Sequence, residues 1–296
     1  MITILLALLL GAPPAARPAA DSLPAQVRRR IAVDSAVRTG VASWRLDRGA
    51  DSLLIHDNWS FHAASTMKVP VMVRLFQMVD AGQLSLDKKI TLENKFSSIV
   101  DGSPYALDMA DDSDSSLYAR IGQTVTVGEL LELMITRSSN FATNILITIA
   151  GPGPTTAAMH ALGAVHVRVL RGVEDGPAYR AGLINTVTAH DLALVIAAIA
   201  QDRAASPNSC TRMRRILLGQ EFNEGIPAGL PPNTPVAHKT GWVEGLVRHD
   251  AAIVYPPNGA PYVLVVLTGG DVPTEVADRQ ISDISRLVWG NATAPR

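Results

Sequence analysis

Cysteine is almost missing from this chain: Cys210 stands alone among 296 residues. No internal disulfide can form, and no Cys-x-x-Cys or Cys/His pair exists to build a zinc site. The seven histidines (His56, His62, His160, His166, His190, His238 and His249) show neither His-x-His nor His-Glu-x-x-His spacing, so the sequence calls for no metal and no cofactor. Charge of one sign is also lacking. Twenty-six Lys plus Arg against 27 Asp plus Glu leave a formal charge of −1, and aromatics make up only 5%. With no cationic excess to collect phosphates and no aromatic platform for bases, nucleic acid is excluded as a partner. The N-terminal apolar run is too short to span a bilayer.

What is present describes a globular protein. Hydrophobic residues at 47%, charged residues at 18% and a mean hydropathy of +0.18 exclude disorder and fibrous repeats. At about 150 residues per domain the length fits two domains, or one with a large insertion. Ile2 to Leu10 is apolar apart from Thr3 and leads through Gly11, Pro13 and Pro14 into an Ala-rich stretch ending at Ala20. That order predicts a secretory signal over residues 1–20, cleaved to leave a periplasmic or secreted protein with no stable membrane insertion. No cysteine follows the run, so lipid anchoring has no attachment point.

Periodicity then predicts a helix over Ser22 to Val37 and strands over Val41 to Leu46 and Ser52 to His56, joined by a turn around Asp47 to Ala50. Helical spacing recurs at Val69 to Ala81, Val127 to Thr136, Phe141 to Ile149 and Asp191 to Ala200. Strands return at Ala251 to Tyr255 and Tyr262 to Thr268, followed by a closing helix over Pro273 to Trp289. The expected fold class is α+β: an antiparallel sheet built from both chain termini and flanked by helices, with an all-helical lobe inserted. The expected boundaries are 21–60 and 201–296 for the α/β lobe and 61–200 for the helical lobe. Their cleft is the expected site.

Three short clusters could carry chemistry there. Ser65 and Lys68 stand three apart at a helix opening, so a lysine amine can reach a serine hydroxyl and accept its proton. About 0.3 such pairs are expected by chance from 19 serines and five lysines, and a second copy at Ser85 and Lys88 falls in an expected turn. Arg137, Ser138, Ser139 and Asn140 form a polar hinge between two apolar helical runs. His238, Lys239, Thr240 and Gly241 precede the expected last strands, and a Lys-Thr-Gly triplet has a chance expectation of about 0.02. Ser/Lys, Ser/x/Asn and Lys/Thr/Gly in this order are the three-element signature of penicilloyl-serine enzymes.

On these motifs, and on LLELMITRSSNFATNILI around the second, the chain resembles the class A β-lactamase family and its serine hydrolase relatives over nearly everything after residue 20. The departure is Ser139, where that family usually has Asp. The resemblance implies a β-lactamase/DD-peptidase-like fold, a small β-lactam as substrate and no cofactor. It implies Ser65 as the acylated nucleophile, Lys68 as its amine partner and Ser138 as the proton relay to the lactam nitrogen. Asn140 would hold the acylamide arm, Lys239 and Thr240 the carboxylate, and the backbone N–H groups of Ser65 and Trp242 the oxyanion. Arg248, nine residues after Lys239, would be a second carboxylate-binding cation.

By the same resemblance, Glu174, 34 positions after Asn140, would activate the deacylating water. The family's water-holding asparagine four residues later is Ala178 here, which leaves Asn185 as the nearest replacement. Three alternatives stay open beside β-lactam hydrolysis through Ser65. They are a penicillin-binding DD-peptidase, a covalent β-lactam sensor without turnover, and an esterase-like serine hydrolase. The run Gly151 to Pro154 reads as a helix-to-helix connection, and the Asp-rich stretch Asp108 to Asp114 as an exposed loop.

Overall fold

The computed structural model describes residues 21–47 and 52–294. The expected signal segment and most of the expected Asp47 to Ala50 turn lie outside the described residues. The chain opens with α1 (Leu23–Val33), β1 (Arg38–Arg45), β2 (Leu53–Ile55) and β3 (Phe61–His62), then α2 (Lys68–Asp80). Two short pairs follow, β4 (Lys89–Thr91) with β7 (Thr124–Thr126) and β5 (Phe96–Ser97) with β6 (Pro104–Tyr105). Next come α3 (Val127–Thr136), α4 (Asn140–Ala150), α5 (Pro152–Ala161), α6 (Gly176–Arg180), β8 (Thr186–Val187), α7 (Ala189–Ala200) and α8 (Pro207–Leu218). The chain closes with β9 (Val236–Val243), β10 (Val247–Val254), β11 (Tyr262–Gly269) and α9 (Thr274–Ala292).

The main sheet has the order β2-β1-β11-β10-β9, all neighbours antiparallel. Strands from both ends of the chain therefore meet at its centre, with Arg38 opposite Gly269 and Arg45 opposite Tyr262. Side chains alternate between the two faces. Val41, Ala252, Val254, Leu264 and Val266 pack toward α1 and α9, whereas Ala42, Ala251, Ile253, Val263, Val265 and Leu267 join the larger core with the remaining helices. A one-residue slip would exchange these sets, and each fully buried Val, Leu or Ile is worth about 1.5–3 kcal/mol, so the register is firmly set.

Caps explain where the helices start. Thr126 and Ser139 accept hydrogen bonds from Glu129 N–H and Ala142 N–H at the openings of α3 and α4. The structure corrects three local expectations. Lys239, Thr240 and Gly241 lie inside β9 rather than before it. Pro152 to Pro154 form the first turn of α5, so only Gly151, at φ +74°, is the connection. Ser65 sits in a 3₁₀ turn, Ala64–Met67, and the α-helix proper begins at Lys68.

Candidate active site

The nucleophile candidate rides on that 3₁₀ turn, against the edge strand β9. A Cβ at Gly241 would stand 3.3 Å from Ser65 N and 3.1 Å from Thr66 N, so only a glycine lets the strand come this close to the turn. The contact sets the Ser65 and Trp242 amides on facing elements, as an oxyanion pocket requires.

Lys68 is fully buried and its ammonium nitrogen reaches three acceptors: Ser138 O at 2.5 Å, Ser138 Oγ at 3.1 Å and Asn140 Oδ1 at 3.0 Å. On the other side Lys239, equally buried, donates to Ser138 Oγ at 3.0 Å and to Thr240 O at 3.1 Å. The Ser138 hydroxyl thus bridges two buried amines. Burial lowers the Lys68 amine to about 7, partly offset by the Asp112 and Glu174 carboxylates. Burial and the neighbouring Lys68 charge push Lys239 well below its ordinary value. Two desolvated ammonium groups on one hydroxyl oppose each other, so the pair favours a state in which one of them is neutral.

The network continues through Asn140, whose Nδ2 donates to Glu174 Oε1 at 3.1 Å. Glu174 Oε2 accepts from Asp108 N–H at 3.3 Å. Burial raises the Glu174 carboxyl, with hydrogen bonds from Asp108 and Asn140 pulling the other way. Ser138 at φ +57° and Glu174 at φ +61° hold left-handed conformations that non-glycine residues rarely adopt, a strain that surrounding contacts must sustain.

Some expectations need correction. Asn185 does not stand in for the missing asparagine: its Oδ1 accepts from Leu170 N–H and Arg171 N–H, and its Nδ2 donates to Arg171 O. It staples the loop before Glu174. Ala178 is buried and its N–H caps onto Asp175. The stretch Asp108 to Asp114 is mostly exposed, as expected, yet it is anchored. Asp112 accepts from Asn140 N–H and Phe141 N–H, each at 2.8 Å, and from the Tyr118 hydroxyl at 3.0 Å, anchoring the start of α4. Arg248 is held by Asp278 at 2.6 Å, with Glu224 at 3.6 Å, and so meets acidic partners on its own chain.

Sequence reasoning missed Asn144. Its Oδ1 accepts from Val173 N–H at 2.7 Å and its Nδ2 donates to Val173 O at 3.0 Å, clamping the residue before Glu174. Its position four residues after Asn140, on the same helical face, was the available signal.

The comparisons with known proteins fit this geometry. The β-lactamase VEB-1 of Pseudomonas aeruginosa is 24% identical over 287 residues, covering 91% of this chain and 90% of that protein. The solved structure of PBP-A matches at 28% identity and a TM-score of 0.76, covering 94% of this chain and 98% of that one. An ancestral class A β-lactamase matches at 26% identity and a TM-score of 0.78, covering 91% and 100%. A model of the Beta-lactamase enzyme family matches residues 23–292, nearly the whole of the described chain. The chain belongs to the β-lactamase enzyme family.

Proposed function

We propose that the protein is a serine β-lactamase that opens the β-lactam amide through an acyl-enzyme on Ser65. The observation that carries this is the unbroken hydrogen-bond path Glu174–Asn140–Lys68–Ser138–Lys239. Ser65 Oγ attacks the lactam carbonyl and its proton passes to the neutral Lys68 amine, a base matched to neutral pH. As the C–N bond breaks, the lactam nitrogen takes a proton from the Ser138 hydroxyl, which Lys68 replenishes across 3.1 Å. Lys239 and Thr240 hold the substrate carboxylate, while Arg248 stays paired with Asp278. Asn140 turns its amide to the acylamide arm. Glu174 then takes a proton from water as that water attacks the acyl carbonyl, and this proton returns to Ser65 Oγ as its bond to the acyl carbon breaks, restoring the carboxylate.

The run from Ile2 to Leu10 supports export of the chain to the periplasm or beyond.

A second reading, covalent binding with slow release, is favoured by Ala178 and by Asn185 being committed to the loop. A variant of PBP-A, 29% identical to this chain, has been captured as an acyl-enzyme with penicillin G. Nitrocefin turnover, followed by mass spectrometry of intact protein, separates the readings: the first expects hydrolysis, the second a lasting adduct on Ser65. Ser65→Ala should abolish both turnover and labelling by a fluorescent penicillin. Ser85→Ala should abolish neither. Labelling that survives in Ser65→Ala rejects the site.

A further inference from the structure

The turn that presents Ser65 begins under strain. Ala64 has φ +45°, a left-handed conformation that costs an L-residue about 1–2 kcal/mol and persists only where neighbouring contacts impose it. Four contacts surround it. Ala63 N–H donates to Asn185 O at 2.8 Å and Thr66 N–H to Ala63 O at 3.1 Å, both backbone pairs. Two more are made by side chains: Thr66 Oγ1 donates to Ala63 O at 2.5 Å, and Ala64 N–H itself donates to His62 Nδ1 at 3.0 Å. This bond requires His62 to carry a lone pair on Nδ1, since a protonated ring would set a donor against a donor.

His62 is itself fixed from behind. Its carbonyl lies 2.8 Å from Nε2 of His249, a fully buried residue of β10. A neutral His249 with its proton on Nε2 donates to His62 O, and its Nδ1, 2.8 Å from Arg248 O, accepts from Thr268 N–H at 3.2 Å. Thus one histidine clasps the backbone before the turn and the other clasps the turn. The charged group acting on His62 is Arg171, from the loop stapled by Asn185, and His249 faces it from β10; burial and Arg171 both lower the His62 ring. Burial, opposed by its two carbonyl contacts, brings His249 down to about 4. Both influences on His62 favour the neutral ring that the Ala64 bond needs.

We propose that His62 is a positioning residue for acyl transfer: its neutral Nδ1 holds Ala64 in the left-handed conformation that aims the Ser65 hydroxyl and amide. His249 supports it through the His62 carbonyl. This inference rests on Ser65 being the nucleophile. A misaimed nucleophile loses rate rather than substrate affinity.

Two substitutions test it. His62→Leu removes the acceptor, and His62→Asn restores an acceptor oxygen near the Nδ1 position that cannot be protonated. With a fluorescent penicillin, His62→Leu should slow acylation about ten- to a hundred-fold in the limiting rate and leave the half-saturating concentration unchanged. His62→Asn should keep most of the rate. As pH falls below the ordinary imidazole range, the wild type should lose acylation more steeply than His62→Asn, because only the wild type has an acceptor to protonate. Amide exchange of Ala64, read by NMR without substrate, should be slow in the wild type and in His62→Asn but fast in His62→Leu. Should the leucine variant fail to fold, the pH profile of His62→Asn against wild type decides alone. Equal acylation in His62→Leu and wild type overturns the proposal, as do equal defects in both variants or Ala64 exchange that is as slow in a folded His62→Leu as in the wild type. A wild type that forms no adduct rejects the proposed activity instead, and Ala64 exchange still decides whether His62 holds the turn.

Discussion

Lys68 and Lys239 are two of only five lysines, and both are stripped of water around one hydroxyl. An ammonium in that position opposes its neighbour, and a neutral amine is a base. Acylation of Ser65 should therefore rise with pH through about 7 as Lys68 loses its proton, read from stopped-flow labelling across the pH range. Lys68→Arg stays protonated at every accessible pH, so its labelling should be slow throughout with no such rise. Lys239 acts on the substrate carboxylate, and Lys239→Ala should lower kcat/KM by about 1–3 kcal/mol, the worth of a charged hydrogen bond. Unchanged kcat/KM for a penicillin would take Lys239 out of substrate binding. These lysines were legible in the sequence because each belongs to a short motif. His62 was not: its bond to Ala64 depends on a strained turn, and its support comes from His249, far along the chain.

At the scale of elements, α4 and the loop carrying Glu174 are braced from outside their own sequence. Asp112 accepts the first two amide hydrogens of α4, which otherwise have no partner within the helix. Asp112→Ala should lower stability by about 1 kcal/mol, the usual worth of a cap, and should slow acylation because Asn140 moves with the helix start. Chemical denaturation read beside labelling checks both. Glu174→Gln keeps the loop and removes the base; since general-base catalysis is worth about 10²- to 10⁴-fold, Ser65 plus the intact penicillin should accumulate in the mass spectrum. Rapid turnover by Glu174→Gln would reject the role. Helices α1 to α4, α7 and α9 and strands β1, β10 and β11 were readable from periodicity, whereas α5, α6 and α8 were not. β9 was not, because His238 and Lys239 are both buried within it and break the apolar alternation. The Asp-rich stretch is mostly exposed as expected, but its anchoring was not legible, as Asp112 accepts amides supplied by a distant helix.

For the whole molecule, the buried His249 ties acid stability to the core of the sheet. Its folded value of about 4 lies below the 6.5 of an exposed imidazole, so the unfolded chain takes up the proton first as pH falls. The contribution is fully present above pH 6.5 and lost progressively between 6.5 and 4, in all about 3 kcal/mol. Urea midpoints should fall across that window, and His249→Gln should flatten the fall even if it is less stable at neutral pH. An equal acid slope in the two proteins would place the loss elsewhere.

The pairing of β1 with β11 has a consequence for how the molecule comes into being. Its partners lie over two hundred residues apart, and among the described residues β11 also joins β1 to β10 and β9. A chain made from its first residue onward holds β1 without its central partner until nearly all of it exists. Contacts of such long separation form late and slowly. The nascent chain consequently stays open for most of its synthesis, and Ser65 and Lys239 meet only when the final strands lock the sheet.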